Sequence, residues 1–429
     1  MNGYVGSVMA DDNQLTAGER ADQGITYDAA RAQENPAGPG MLLAGFNPAS
    51  IVATRDGTWL TEKGQRSRDQ GRSWSAPDPG FGRVGTIHGI VRTANGELGI
   101  CYSKVRGGDT WEAHMAAALG NDTNAWYFRW SVDDGQRWSK PVQISLPGLT
   151  MGLDGTMFSL KDGRLLLIVY SQFLVRMNLW GGSYGTYRGH RIKTETEGHF
   201  GEMEAVRVYY SDDHGRSWTP NDGWIMGWRQ GTEKWTDSFV EATGIELNDG
   251  RIYMLGRSLI GRMLACESAD RGVTWTYAHP TELMTSDSPG RLIRLQKTDA
   301  LLFVWNQISR EENRRGFRRN RASSAISKDE GKSWTHFKNL AAIQCLADRA
   351  YIPPDPVMTP IWGDGDVGPL PDDFEMWHYF NINEMGDELF IGMSHNTIGL
   401  ETDQNGNEQA AYRHDSQTWI VPTDWFYAE

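Results

Sequence analysis

The sequence predicts an all-β fold, a six-bladed β-propeller, on three observations. An eight-residue box, Ser-x-Asp-x-Gly-x-x-Trp, occurs five times, starting at Ser67, Ser131, Ser211, Ser268 and Ser327. Short apolar strands lead into Asp-Gly or Asn-Gly turns at Asp56-Gly57, Asn95-Gly96, Asp162-Gly163 and Asp249-Gly250, and such a pair is a strong hairpin signal. The 429 residues include 49 Gly and 18 Trp, a composition suited to many regular turns with aromatic anchors. A box that returns every several tens of residues marks a repeat architecture, whose neighbouring units share one core.

The elements follow in order. Residues 1–40 are polar and lack a period, so they read as an N-terminal arm; 41–429 read as a single propeller domain. Blade one runs through 49–54 and Thr58-Trp59-Leu60 into the first box. Blades two, three and four turn at Asn95-Gly96, Asp162-Gly163 and Asp249-Gly250. Blade five holds the apolar runs 292–295 and 301–305. Blade six holds Phe380-Asn381-Ile382 and 388–393, and ends without a box near 418–421. Three insertions, 172–203, 308–321 and 351–376, interrupt this plan. Long loops in compact domains tend to carry function, so these are expected to rim one mouth of the ring.

The box explains itself as a turn. Asp and Ser bond nearby backbone amides, Gly takes a positive φ, and Trp packs the turn onto its blade. Its carboxylates are therefore expected to be structural. A calcium loop is excluded because the acidic closing ligand is missing.

Charge and composition narrow the function. A net charge of −13 argues against nucleic acid as the partner. No run is long and apolar enough to span a membrane. Residues 1–12 lack a signal-peptide pattern, so the expected location is cytoplasmic, or secreted if a leader has been removed. Cys101, Cys266 and Cys345 form no disulfide framework, and the first two sit in apolar strands as expected buried thiols. No phosphate loop, dinucleotide signature or paired-Cys motif is present, so no cofactor is expected. His190 and His199 alone complete no metal site.

The boxes and the stretch 239–257 resemble the sialidase superfamily of six-bladed propellers over roughly residues 45–395. The segment from Phe239-Val240-Glu241-Ala242-Thr243-Gly244 to Leu255-Gly256-Arg257 is similar to the fourth-blade signature of that family. The resemblance implies that Glu241 assists a tyrosine nucleophile and that Arg257 binds a substrate carboxylate. Arg319, eight residues before the fifth box, is similar in place to another carboxylate-binding Arg, with Arg321 as a competing match. Tyr379, in Trp377-His378-Tyr379-Phe380, resembles the catalytic tyrosine, and His378 joins it as a substrate-binding candidate.

The chemistry is coherent. A tyrosine hydroxyl, with a pKa near 10, needs a neighbouring base before it can attack. A phenol also approaches an anionic sugar with less repulsion than a carboxylate would, and tyrosine nucleophiles are a known exception to the two-carboxylate scheme. The first blade departs from the family pattern. Phe46-Asn47-Pro48 stands where an Arg-Ile-Pro is usual, which puts Asn47 in a substrate-binding position. The acid/base is left between Asp154, eight residues before the Asp162 turn as Glu241 is before the Asp249 turn, and His88, placed similarly in blade two.

The expected function is a sialidase-like exo-glycoside hydrolase that removes a terminal acidic sugar by a retaining mechanism. Alternatives are a propeller enzyme on another anionic sugar, a polysaccharide lyase with Tyr379 or His88 as base, and a glycan-binding propeller without catalysis.

Overall fold

The structure is a computed structural model. It describes residues 26, 28–81, 85–105, 124–145, 151–176, 183–194, 200–227, 239–357 and 365–428; the side chains of 105, 124, 151–155, 172–176 and 200–203 lie outside that description. Among the described residues, six antiparallel sheets of three to five strands follow one another along the chain, and a two-stranded sheet pairs Ala30–Arg31 with Ser73–Trp74. Sheet one contains Ile51–Ala53, Trp59–Thr61 and Arg66–Ser67. Sheet two begins Thr86–Arg92 and Leu98–Val105; sheet three begins Met151–Ser159 and Leu165–Arg176. Sheet four is Val240–Glu246, Ile252–Arg257, Arg262–Ser268 and His279–Met284. Sheet five is Arg291–Arg294, Leu301–Trp305, Arg321–Ser327 and Thr335–Ala342. Sheet six joins Glu375–Met385, Glu388–Thr402 and Glu408–Pro422 to two strands from the other end of the chain, Met41–Ala44 and Gln33–Glu34. The all-β expectation holds, and part of the segment expected to be an arm, 33–34, is a strand of the last sheet.

The chain packs as two compact units. One comprises 1–32, 48–171 and 207–222; the other comprises 33–47, 172–206 and 223–429. In the first, Trp126, Phe128, Leu165 and Leu167 share one apolar cluster and Leu60, Ile90, Leu98 and Trp138 another. In the second, Phe303, Trp305, Leu255 and Met263 pack between sheets four and five, and a larger cluster runs from Leu302 through Phe380 to Trp419. Burying each such side chain contributes about 1.5–3 kcal/mol before chain entropy is counted. Cys101 and Cys266 are buried free thiols as expected, and burial pushes Cys101 up to about 12.

The boxes are the turns that the residue types foretell. In all five, the Ser hydroxyl donates to the box Asp at 2.8–2.9 Å and accepts the box Gly amide at 2.8 Å. The residue before each box Gly also has positive φ: Gln70, Asp134, His214, Arg271 and Glu330. The indole N–H of Trp74, Trp218 and Trp275 donates to the carbonyl of its own box Gly.

The 308–321 insertion is ordered by its own sequence. Ser309 and Glu312 form a reciprocal capping box on the short helix Arg310–Arg314. Glu312 then takes Arg321 in a buried ion pair at 2.8 Å, and Arg321 also bonds the carbonyls of Leu346 and Gln307. The 172–203 and 351–376 insertions contribute Ser183–Tyr187, His190–Lys193 and Gly365–Pro369 to a small sheet in the second unit. There His190 pairs with Glu408 at 3.0 Å. His199 lies outside the described residues.

Candidate active site

The site begins with broken register. The first strand of sheet four pairs Val240 with Arg257 and Thr243 with Leu255, so Glu241 and Ala242 together face Gly256. The first strand of sheet six pairs His378 with Ser394 and Asn381 with Gly392, so Tyr379 and Phe380 together face Met393. Each is a β-bulge, two residues opposite one, which re-aims a side chain out of the strand's alternation. The first bulge residue has φ +46° at Glu241 and +55° at Tyr379. This left-handed conformation normally falls to Gly and costs a bulky residue on the order of 1–3 kcal/mol. A Glu and a Tyr in the same strained position of two sheets mark side chains whose direction matters.

Neighbours hold the bulges in shape. A Cβ on Gly256 would come within 2.4 Å of the Phe239 ring, so Gly is required opposite Glu241. The Phe380 carbonyl, freed from the ladder by the bulge, accepts the Arg291 Nε–H at 2.9 Å. The Asn306 side chain donates to the Trp377 carbonyl at 2.7 Å and accepts from the Ser288 hydroxyl at 2.7 Å, tying the segment that carries Asp287 to the strand that carries Tyr379.

The re-aimed side chains meet. The Tyr379 hydroxyl donates to Glu241 Oε1 at 3.3 Å. Arg257 Nη1 donates to Glu241 Oε2 at 2.7 Å, and its Nε donates to Asp287. Burial works against the Arg257 charge, but Asp287, Glu241 and Tyr379 outweigh it and raise its pKa well above the usual guanidinium value. Arg319 donates from Nη1 to His378 Nδ1 at 3.1 Å and from Nη2 to the Asp287 carbonyl at 3.2 Å. Its guanidinium lies over the Tyr379 ring, 5.0 Å from the centroid. Arg321, fully buried and spent on Glu312, is not part of the cluster. Of the two competing matches, Arg319 is therefore the one beside Tyr379.

Among the expected residues, Glu241, Tyr379, Arg257, Arg319 and His378 thus form one network in the second unit. Asn47, in the same unit, accepts from Asn381 at 3.0 Å. A Cβ on Gly392 would meet Asn47 Oδ1 at 2.2 Å, so Asn47 packs close against the strand beside the Tyr379 bulge. His88 belongs to the first unit. It is the extra residue between the pairs Ile87–Tyr102 and Gly89–Cys101, its Nε2 is 2.7 Å from the Ser103 hydroxyl, and its ring packs on Trp126. Residues 152–155 also lie in a register break, between Met151–Tyr170 and Thr156–Ile168. The Asp154 side chain lies outside the described residues.

Asp287 was missed by sequence reasoning. It is buried in the polar run Thr285-Ser286-Asp287-Ser288 between sheets four and five.

Residues 189–348 match the family model described as a BNR repeat-like domain. That stretch contains Glu241, Arg257, Asp287 and Arg319, and the sequence resemblance to the superfamily stands on it. Among solved structures, the chain is similar to a protein of unknown function from Dyadobacter fermentans, at 14% identity, 92% of this chain and 97% of that chain covered, and a TM-score of 0.44. It is similar to Trypanosoma rangeli sialidase at 14% identity, 92% and 55% coverage and a TM-score of 0.45, so it spans about half of that protein's length. It is also similar to an α-L-arabinanase of Penicillium chrysogenum, at 12% identity, 91% and 99% coverage and a TM-score of 0.45.

Proposed function

We propose that the six sheets are the blades of one propeller and that the chain is a sialidase-like exo-glycoside hydrolase. It removes a terminal acidic sugar with retention of anomeric configuration. The observation that carries this reading is the Tyr379–Glu241 hydrogen bond, made by two residues in matching left-handed bulges. At 3.3 Å it is long for an O–H···O bond, and catalytic bonds of this kind often tighten only when substrate binds.

In the first step the Tyr379 oxygen attacks the anomeric carbon and its proton passes to Glu241. The bond to the leaving oxygen breaks, and a general acid protonates that oxygen. In the second step water replaces Tyr379 at the anomeric carbon and gives a proton to the base left by the general acid, while Glu241 returns its proton to the phenol oxygen. Arg257 fixes Glu241 from the side away from the phenol, and Arg319 offers its cation to the acidic group of the sugar.

One observation favours a second reading of the substrate. Arg257 spends Nε and Nη1 on two carboxylates, so Arg319 is the cation of the cluster without a carboxylate partner among the described residues. One available guanidinium also suits an anionic sugar other than sialic acid, cleaved by the same chemistry.

The test is a panel of chromogenic glycosides, acidic and neutral, with the product's anomer read by NMR. Tyr379→Phe and Glu241→Gln should each lower turnover by about 10²–10⁴ while both variants keep the wild-type circular dichroism. Full activity in both variants would overturn the mechanism. An unsaturated, ultraviolet-absorbing product would replace hydrolysis with elimination.

A further inference from the structure

The two arginines of the cluster are held in opposite ways. Arg257 is gripped by two carboxylates. Arg319 is gripped by two uncharged acceptors, a backbone carbonyl and a ring nitrogen. A guanidinium has only donors, so the nitrogen it meets, Nδ1 of His378, must carry a lone pair. The imidazole is therefore neutral, with its proton on Nε2. An imidazolium there would set a second cation against the first.

We infer that His378, as the uncharged Nε2–H tautomer, is the positioning residue that fixes Arg319 over the face of Tyr379. Its value is that it holds the cation without neutralising it. A carboxylate at the same place would make a stronger bond and cancel the charge. Resting on the proposed chemistry, the consequence is direct: as the Tyr379 proton leaves for Glu241, negative charge grows on a ring that already faces a guanidinium.

The surroundings keep His378 neutral. It is buried, and burial first, then the Arg319 charge, hold it well below the ordinary imidazole range; Asn396 opposes this weakly. His395 and His414 face it from the two following strands and also disfavour a proton. Each has a partner of its own: His395 bonds Glu375 and Gln417, and His414 bonds Asn396.

Three variants separate positioning from packing. His378→Gln offers a neutral acceptor and should keep kcat within about threefold of wild type. His378→Leu offers none and should lower kcat about thirtyfold, the scale of one desolvated cation–π contact. His378→Glu should bond Arg319 yet lose as much rate as the Leu variant, because it quenches the charge. Wild-type kcat in the Leu or the Glu variant, with folding confirmed by thermal melting, overturns the proposal.

A second readout needs no substrate. Nitrogen NMR of the wild type should show neutral, Nε2-protonated His378 at about pH 6.5, where a free imidazole is half charged, and Arg319→Gln should move its titration upward. A charged ring, or a proton on Nδ1, overturns the proposal whatever the activity. If wild type cleaves no sugar, the glycosidase reading falls, and the NMR result still decides the pairing.

Discussion

The box turns and the bulge cluster use the same residue types for opposite ends. Each box Asp bonds its own Ser and the backbone within four residues. Glu241 bonds Arg257 and Tyr379, 16 and 138 residues away, and Asp287 bonds Arg257 and, through its carbonyl, Arg319. In the boxes the left-handed conformation falls on turn residues and on Gly. In the cluster it falls on the Glu and the Tyr themselves. A carboxylate satisfied by its own loop stabilises that loop. One satisfied only by chain-distant partners, on strained backbone, ties separate strands together, and this contrast is what the proposed chemistry draws on.

The sharpest way to break this contrast is kinetic. Glu241→Gln should cost about 10²–10⁴ in turnover; Asp133→Asn, in the second box, should leave kcat and KM unchanged. Comparable rate losses in both would mean that the two regions do not differ in function. The next effect is on stability. Asp287→Asn removes one of the two carboxylates that hold Arg257, leaves Glu241 in place, and should cost about 1.5–3 kcal/mol, the scale of a hydrogen bond to a charged group, seen as a lowered urea midpoint. Asp270→Ala in the fourth box removes exposed hydrogen bonds and should cost only about 1 kcal/mol.

The same contrast explains what the sequence could reveal. The boxes were legible because Ser, Asp, Gly and Trp act on one another inside eight residues. The strands were legible from their turns, except that sheet six recruits Met41–Ala44 and Gln33–Glu34 from the other end of the chain, a pairing no local pattern contains. Glu241, Arg257 and Tyr379 were reached through the family resemblance. The shared distance of Glu241 and Asp154 from the following turn hinted at a common level but not at bulges, because register depends on the partner strand. The choice between Arg319 and Arg321 depended on the helix Arg310–Arg314, whose Glu312 captures Arg321. Asp287 was invisible because an acidic residue in a Ser-rich run reads as a surface turn.

The smallest effect concerns pH, and it separates the two regions by window. The box carboxyls are held below their ordinary range: burial opposes this, and hydrogen bonds from their own hydroxyls and amides prevail. Their contribution is fully present above about pH 4, the value of an unfolded Asp, and is lost only as pH falls through the lower folded values. His378 is depressed too, but there the fold favours the neutral form over the charged one, by burial first and then by the Arg319 charge. Its contribution is full above about pH 6.5 and declines as pH drops toward its folded value. Acidification should therefore weaken the cluster region before the boxes. Urea midpoints between pH 7.5 and 5 should fall less steeply for His378→Gln than for wild type. Equal slopes from pH 7.5 to 5 would show that His378 takes its proton as readily folded as unfolded, and the distinction between the two regions would then rest on kinetics alone.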